Sequence, residues 1–238
     1  MDPERLIYPV TKYVLLGPAI RVAFRPAVSG LRHVPRRGPV ILAANHLAVL
    51  DSFVLPLTVP RRVSFLGKQE YFTAAGPRGR ATAAFFGSLG AIAVDRSGGR
   101  AALEALDTSA RVLERGGAFA IHPEGTRSPD GRLYRGRTGV ARLAMRTGAP
   151  VVPVAIEGTD RVQPRGRAVP RPGRIGVRFG APLRFAGRAA DAPRGRAARE
   201  ITDEIMTAIR ELSGQEYVDS YAPPPGRDEP GRAPEKGS

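Results

Sequence analysis

Pro39-Val40-Ile41-Leu42-Ala43-Ala44-Asn45-His46-Leu47-Ala48-Val49-Leu50-Asp51 runs from an unbroken apolar segment into a polar turn. The apolar half reads as a buried strand. Asp51 and Ser52 are good helix N-caps, and the apolar run Phe53-Val54-Leu55-Pro56-Leu57 follows them. His46 therefore falls where a strand ends and a helix begins. On a regular helix, at ~100° per residue, positions five apart are about 140° from each other and do not meet. The two side chains pair only if His46 lies in the turn and Asp51 near the helix start. Asp51 would then accept the Nδ1 proton and leave Nε2 as a general base. No serine nucleophile stands beside the pair, so the base would act on a hydroxyl carried by the substrate. A histidine and an aspartate at this spacing also fit a plain surface or capping pair, and spacing alone does not separate the two.

The 238 residues allow one domain with a sizeable core, or one domain plus a tail. There is no cysteine, which excludes a disulfide framework and a thiolate metal site. His33, His46 and His122 are the only histidines, and none is spaced from another as metal ligands are, which argues against a zinc hydrolase. The pattern calls for no metal or other cofactor. A net charge of +15 admits nucleic acid, an anionic membrane or a phosphorylated substrate as partner. Only Lys12, Lys68 and Lys236 among the 37 basic residues are lysines, a bias that genome composition alone can produce. No secretory signal is read near the N-terminus. Lys12 and Arg21 enclose eight uncharged residues, too few for the ~20 that a spanning helix needs.

Outward from the central stretch, apolar runs alternate with helical periodicity. Strands are expected at 61–68, 91–94, 118–121, 151–156 and 175–180, with helices at 52–59, 99–114, about 140–147 and 198–212. Gly76-Pro77 and Gly79 are expected to break the segment 69–90, and Pro153 suggests an edge strand or a strand start. The alternation points to an α/β fold with a largely parallel sheet flanked by helices. Residues 1–30 read as short amphipathic helices with basic residues among apolar ones, suited either to a membrane interface or to packing on the domain. Residues 31–213 form the α/β domain, and 214–238, rich in Pro, Gly and charge, are expected to be a disordered tail. His33 reads as a surface residue. From Arg161 to Arg199 the chain has eleven arginines and one acidic residue, Asp191.

Folds of this class gather functional groups at strand ends. Here the residues just past four strands are Asn45-His46, Lys68, Asp95-Arg96 and His122-Pro123-Glu124-Gly125-Thr126-Arg127. Gly125-Thr126-Arg127 offers backbone N–H groups, a hydroxyl and a guanidinium to an oxyanion or phosphate. A base beside a phosphate clamp fits transfer to a hydroxyl on a phosphorylated acceptor.

These motifs resemble the blocks of the glycerolipid acyltransferases, the lysophosphatidic acid acyltransferase family. Asn45-His46 with Asp51 resembles the first block, and Gly90-Ala91-Ile92-Ala93-Val94-Asp95-Arg96 the second. His122-Pro123-Glu124-Gly125-Thr126-Arg127-Ser128 resembles the third, and Val152-Pro153-Val154-Ala155-Ile156 the fourth. They occur in the family's order over roughly residues 35–160. Lys68 resembles a lysine common between the first two blocks. His122 departs from the pattern, since the family usually has Phe or Tyr there, a change that could alter the acceptor pocket.

The resemblance implies that His46 deprotonates the acceptor hydroxyl, that Asp51 orients it, and that the oxygen attacks an acyl thioester without an acyl-enzyme. It assigns the acceptor's glycerol phosphate to Lys68, Arg96, Glu124, Gly125, Thr126 and Arg127, with Glu124 expected to hold an arginine or a hydroxyl. It implies a donor that is acyl-CoA or acyl-carrier protein, a lysophospholipid acceptor, and phosphatidic acid as product in phospholipid biosynthesis. It also implies a peripheral enzyme on the cytoplasmic face of the cell membrane. Another lysophospholipid or lipid precursor as acceptor stays open. A basic nucleic-acid-binding protein is the alternative from a different class. No nucleic-acid motif supports it, and with 6% aromatic residues stacking platforms would be sparse.

Overall fold

The computed structural model describes residues 8–94, 99–188 and 194–223. At the N-terminus α1 (Val10–Leu16), wound as a π-helix, runs straight into α2 (Gly17–Phe24). Then come β1 (Ala27–Ser29), β2 (Val40–Ala44), α3 (Asp51–Thr58), β3 (Val63–Lys68), α4 (Glu70–Thr73), α5 (Gly76–Ser88) and β4 (Ala91–Val94). The chain continues through α6 (Gly99–Glu114), β5 (Ala118–Ile121), β6 (Leu133–Tyr134), α7 (Gly139–Thr147) and β7 (Val151–Glu157). It closes with α8 (Thr159–Val162), β8 (Gly176–Phe179), α9 (Arg194–Ser213) and β9 (Tyr217–Val218).

Seven strands make one sheet in the order β1-β8-β7-β2-β5-β3-β4, parallel at every pairing except β7 with β8. The expected fold class is therefore observed. The unbroken apolar run of β2 follows from its place inside the sheet, covered on both faces. Its side chains alternate between two cores. Val40, Leu42 and Ala44 pack with Phe24 of α2 and with Val54 and Leu55 of α3. Ile41 and Ala43 pack with Leu113 of α6, Leu143 of α7 and Ile201 and Ile205 of α9. Parallel neighbours β2, β5, β3 and β4 release their C-terminal ends along one edge of the sheet. The turns after β2 and β5 and the end of β3 thus emerge side by side, while Asp95-Arg96 lies outside the described residues.

Three local expectations change. Pro153 lies inside β7, between β2 and β8, not at an edge. Pairing on the β8 side is interrupted there, between the Val151–Leu183 bridge and the ladder that begins at Val154–Phe179. Val151 donates to Leu183 O and Pro153 O accepts from Gly180, so position 153 faces that interruption and needs no N–H. Gly76-Pro77 opens α5 instead of breaking it, because proline at the first helical positions gives up an N–H that has no partner anyway. Gly79 continues the helix, and a Cβ there would lie 1.8 Å from Ala74 O. The segment from 214, expected to be disordered, is paired as far as it is described. β9 runs parallel to β6, Leu133 N–H donates to Glu216 O at 2.9 Å, and Tyr221 lies under the guanidinium of Arg137. Hydrogen bonding to a neighbouring strand compensates for its few apolar side chains. His33, read as a surface residue, meets Phe179 O through Nδ1 at 2.9 Å.

The N-terminal helices divide by face. Leu16, Ile20, Ala23 and Phe24 join the core that holds α3. Val10, Tyr13, Val14 and Val22 point outward, with Val22 79% exposed. Lys12 is buried, and its Nζ donates to the carbonyls of Val59 and Arg61 just past the end of α3, where a cation meets the negative end of the helix dipole. Burial pushes the Lys12 ammonium down to about 8. Among the described residues no helix is long and apolar enough to cross a membrane.

Candidate active site

His46 sits in the turn between β2 and α3, and Asp51 is the first residue of α3. Asp51 does not cap its own helix; its carboxylate turns back into the preceding turn. Oδ2 accepts from His46 Nδ1 at 3.0 Å, from Leu47 N at 2.6 Å and from Ala48 N at 2.8 Å. Asp51 is fully buried while His46 keeps 16% of its side chain exposed. Burial pushes the Asp51 carboxyl up, but the hydrogen bond and charge of His46 win and hold it below its ordinary value. An ionised Asp51 fixes His46 with Nδ1–H toward it and leaves the Nε2 lone pair as the basic site.

The third-block turn is laced onto this dyad. Glu124 Oε1 accepts from His46 N at 3.0 Å, and Oε2 accepts from Tyr134 N at 2.9 Å. Ser128 N–H donates to His46 O at 2.7 Å. The expectation that Glu124 holds an arginine or a hydroxyl is not what the geometry gives: its two oxygens hold main-chain amides and so fix the His46 turn against β6. Burial pushes the Glu124 carboxyl up to about 7, against those amides. A carboxyl raised above its ordinary 4.5 contributes stability that is whole below that value and is lost as pH rises toward 7. Glu124→Gln removes this titration. The stability advantage of wild type over the variant is expected to shrink between about pH 5 and about pH 8, read as urea midpoints; an advantage that is flat or grows with pH would refute the assignment.

His122 lies flat against His46, with ring centroids 3.9 Å apart and planes 10° from parallel. Its Nδ1 lies 3.1 Å from Ala44 O and 2.9 Å from Asn45 O, so it donates and carries the proton. Burial and the neighbouring His46 push His122 down to about 3. The departure at His122 therefore touches the His46 ring itself.

Gly125 has φ of +75°, and a Cβ there would meet the Arg137 side chain at 2.9 Å. Its N–H closes a turn on His122 O at 3.0 Å, so the donor offered to an anion in the sequence reading is already used. Thr126 and Arg127 follow, half-buried, and Arg127 O accepts from Arg165 Nη2 at 3.1 Å. Lys68 ends β3 on the same sheet edge. Arg96 lies outside the described residues.

Several contacts were not legible in the motifs. Asn45 bridges to β7, with Nδ2 to Ile156 O at 2.9 Å and Oδ1 from Ile156 N at 2.7 Å, and it also donates to Gln215 Oε1 at 2.8 Å. Gln163 accepts from Leu50 N at 2.8 Å. Thr159 is buried beside Asp51, and its hydroxyl helps keep Asp51 ionised. Ile156, Thr159, Gln163 and Gln215 lie more than a hundred positions from the dyad, and nothing local marks them.

A histidine held through Nδ1 by a buried aspartate, at the end of a parallel strand and beside a basic turn, has the geometry that a general base acting on a substrate hydroxyl requires. The chain belongs to the Acyltransferase family, whose pattern matches residues 25–157. Its fold is similar to the crystal structure of the 1-acyl-sn-glycerophosphate (LPA) acyltransferase PlsC from Thermotoga maritima, with a TM-score of 0.67 and 26% identity over 89% of this chain and 83% of that one. It is 28% identical over 60% of its length, and 40% of the relative's, to 1-acyl-sn-glycerol-3-phosphate acyltransferase BAT2, chloroplastic, of Brassica napus. It is 26% identical to the alpha 1-acyl-sn-glycerol-3-phosphate acyltransferase of Mus musculus over 86% of this chain and 70% of that one. The chain spans about two fifths of the length of the Brassica and Arabidopsis relatives.

Proposed function

We propose that the protein is an O-acyltransferase that moves a fatty acyl group from acyl-CoA or acyl-carrier protein to the hydroxyl of 1-acyl-sn-glycerol 3-phosphate, giving phosphatidic acid for phospholipid biosynthesis. The observation that carries this reading is the His46–Asp51 pair, 3.0 Å apart with Asp51 fully buried. His46 Nε2 takes the hydroxyl proton as the oxygen attacks the thioester carbonyl carbon. The carbon–sulfur bond then breaks, and the thiolate recovers the proton from the imidazolium. Asp51 stabilises that imidazolium and keeps its orientation. Thr126 and Arg127, with Lys68 and Arg96, hold the acceptor phosphate, Arg127 by its planar two-pronged geometry. Glu124 and Gly125 serve the site by shaping the turn.

The enzyme works as a peripheral protein at the cytoplasmic membrane face, with the outward residues of α1 and α2 in the interface. The His46–His122 stack favours a second reading, in which the same chemistry acts on another lysophospholipid, because an imidazole lies against the base where the resemblance expects Phe or Tyr. Thiol release from palmitoyl- or oleoyl-CoA, and from the acyl-carrier-protein thioester, is measured with a panel of lysophospholipids. Turnover with lysophosphatidic acid supports the first reading, and turnover only with another lysolipid the second. Absence of turnover with every donor and acceptor overturns both. In the same assay Arg127→Ala is expected to raise the Michaelis constant for the phosphorylated acceptor ~10-fold or more and that for the thioester little, since a charge-assisted pair contributes ~1.5–3 kcal/mol. An equal rise for both substrates counts against the phosphate clamp.

A further inference from the structure

The five arginines between Arg161 and Arg174, with no acidic residue among them, have no part in the chemistry so far. Arg161 lies in α8 and the other four in the loop from α8 to β8, and all five are exposed. The loop is pinned along its length. Gly173 N–H donates to Ala23 O at 3.0 Å and Ile175 N–H to Phe24 O at 3.2 Å, which lays its second half against the end of α2. Arg171 N–H donates to Val162 O at 2.8 Å, closing the loop on itself. Its first half reaches the catalytic turn through Gln163 with Leu50 N and Arg165 with Arg127 O. One rim of the molecule therefore runs from α2 along the arginine loop to the turn that carries His46.

That rim also carries projecting aliphatic groups. Val169, at the loop's tip, is 72% exposed, and Val22, one residue before the carbonyl that Gly173 holds, is 79% exposed. Arg21 and Arg25 flank Val22 and are exposed as well. A folded acidic partner would be matched by the charge but not by isolated aliphatic tips. A bilayer matches both: guanidinium groups pair with lipid phosphates while the short apolar side chains enter the headgroup layer.

We infer that the loop 161–174 is a second membrane-docking arm, which reads anionic phospholipid headgroups and seats the rim beside His46 on the bilayer. The inference rests on the proposal that α1 and α2 lie at a membrane interface, and it adds to that proposal a charge-selective contact of its own. An acceptor drawn from the same bilayer then reaches the catalytic turn without leaving the lipid surface.

The test is sedimentation of the full chain with phosphatidylcholine vesicles, with and without phosphatidylglycerol. Three proteins are compared: wild type, Arg167→Gln with Arg171→Gln, and Val14→Asp with Val22→Asp. Wild type is expected to prefer the anionic vesicles, and to lose the preference at high salt. The arginine variant is expected to bind anionic vesicles on the order of 10-fold more weakly or worse and neutral vesicles as wild type does. The helix variant is expected to bind both kinds more weakly. An arginine variant that binds anionic vesicles like wild type overturns the loop's role and leaves the helices' role standing. A helix variant with undiminished binding, beside a weakened arginine variant, removes the helix reading and keeps the loop. Should the arginine variant keep its vesicle binding but show a raised Michaelis constant for an acyl-carrier-protein thioester alone, the loop serves an acidic carrier protein and the bilayer assignment fails.

Discussion

His46→Ala is expected to fold as wild type does and to turn thioester over ~10²–10⁴-fold more slowly, the range a positioned general base contributes. The His46 side chain is mostly buried, and the contacts that fix the turn are made by its main chain: N–H to Glu124 and C=O from Ser128. Truncation to alanine leaves both in place. Asp51→Asn behaves differently. The carboxylate oxygen that accepts three N–H groups, from His46, Leu47 and Ala48, is replaced by an amide with one donor end. That variant is expected to lose turnover to a similar degree and also about 1–3 kcal/mol of stability. The pair of results separates the base from its support. Wild-type turnover in His46→Ala would remove the mechanism. Full stability in Asp51→Asn would show that the two main-chain amides find other partners.

Asn45→Ala is expected to cost more stability than any other single change at the site, about 2–5 kcal/mol. Its side chain, buried to 1% exposure, replaces a strand partner for Ile156, taking both the N–H and the C=O of that residue. It also holds Gln215, whose Nε2 continues to Gly131 O at 2.6 Å. Alanine leaves the Ile156 groups and the glutamine without those partners, in a place water does not reach. Urea midpoints at neutral pH measure the loss, with Val28→Ala on exposed β1 as a control. A loss no larger than the control's would mean that Asn45 acts on His46 only as a sequence neighbour.

The alternation of apolar runs and helical periodicity made the α/β class legible, because a strand buried on both faces must be apolar throughout and a covering helix must be apolar on one. Pro153 misled for a local reason: a missing N–H is harmless wherever a ladder is interrupted, and the interruption depends on residues 180–183, far along the chain. Residues 214–223 misled because low apolar content says nothing of main-chain pairing, and this segment is held by main-chain hydrogen bonds to β6 and Arg135. The dyad was legible from a short spacing. The role of Glu124 was not, since a carboxylate's partners in this site are amides whose positions only the folded turn provides.

By itself the sequence determined six of the seven strands of the main sheet, the helices α3, α6, α7 and α9, the basic balance, and the presence of His46 and Asp51 at a strand-to-helix turn, since these depend on residues close together along the chain; β1, within a segment read as helical, and the pair β6 and β9 were not legible. Tertiary structure alone decided that the strand order is β2-β5-β3-β4, which brings the third-block turn against the first. It decided that His122 stacks on His46, that Glu124 clamps the turn, and that Asn45 reaches Ile156 and Gln215. Those contacts join residues 76 to 170 positions apart. Their energy comes from burying polar groups with exact partners, which no run of neighbouring residues encodes.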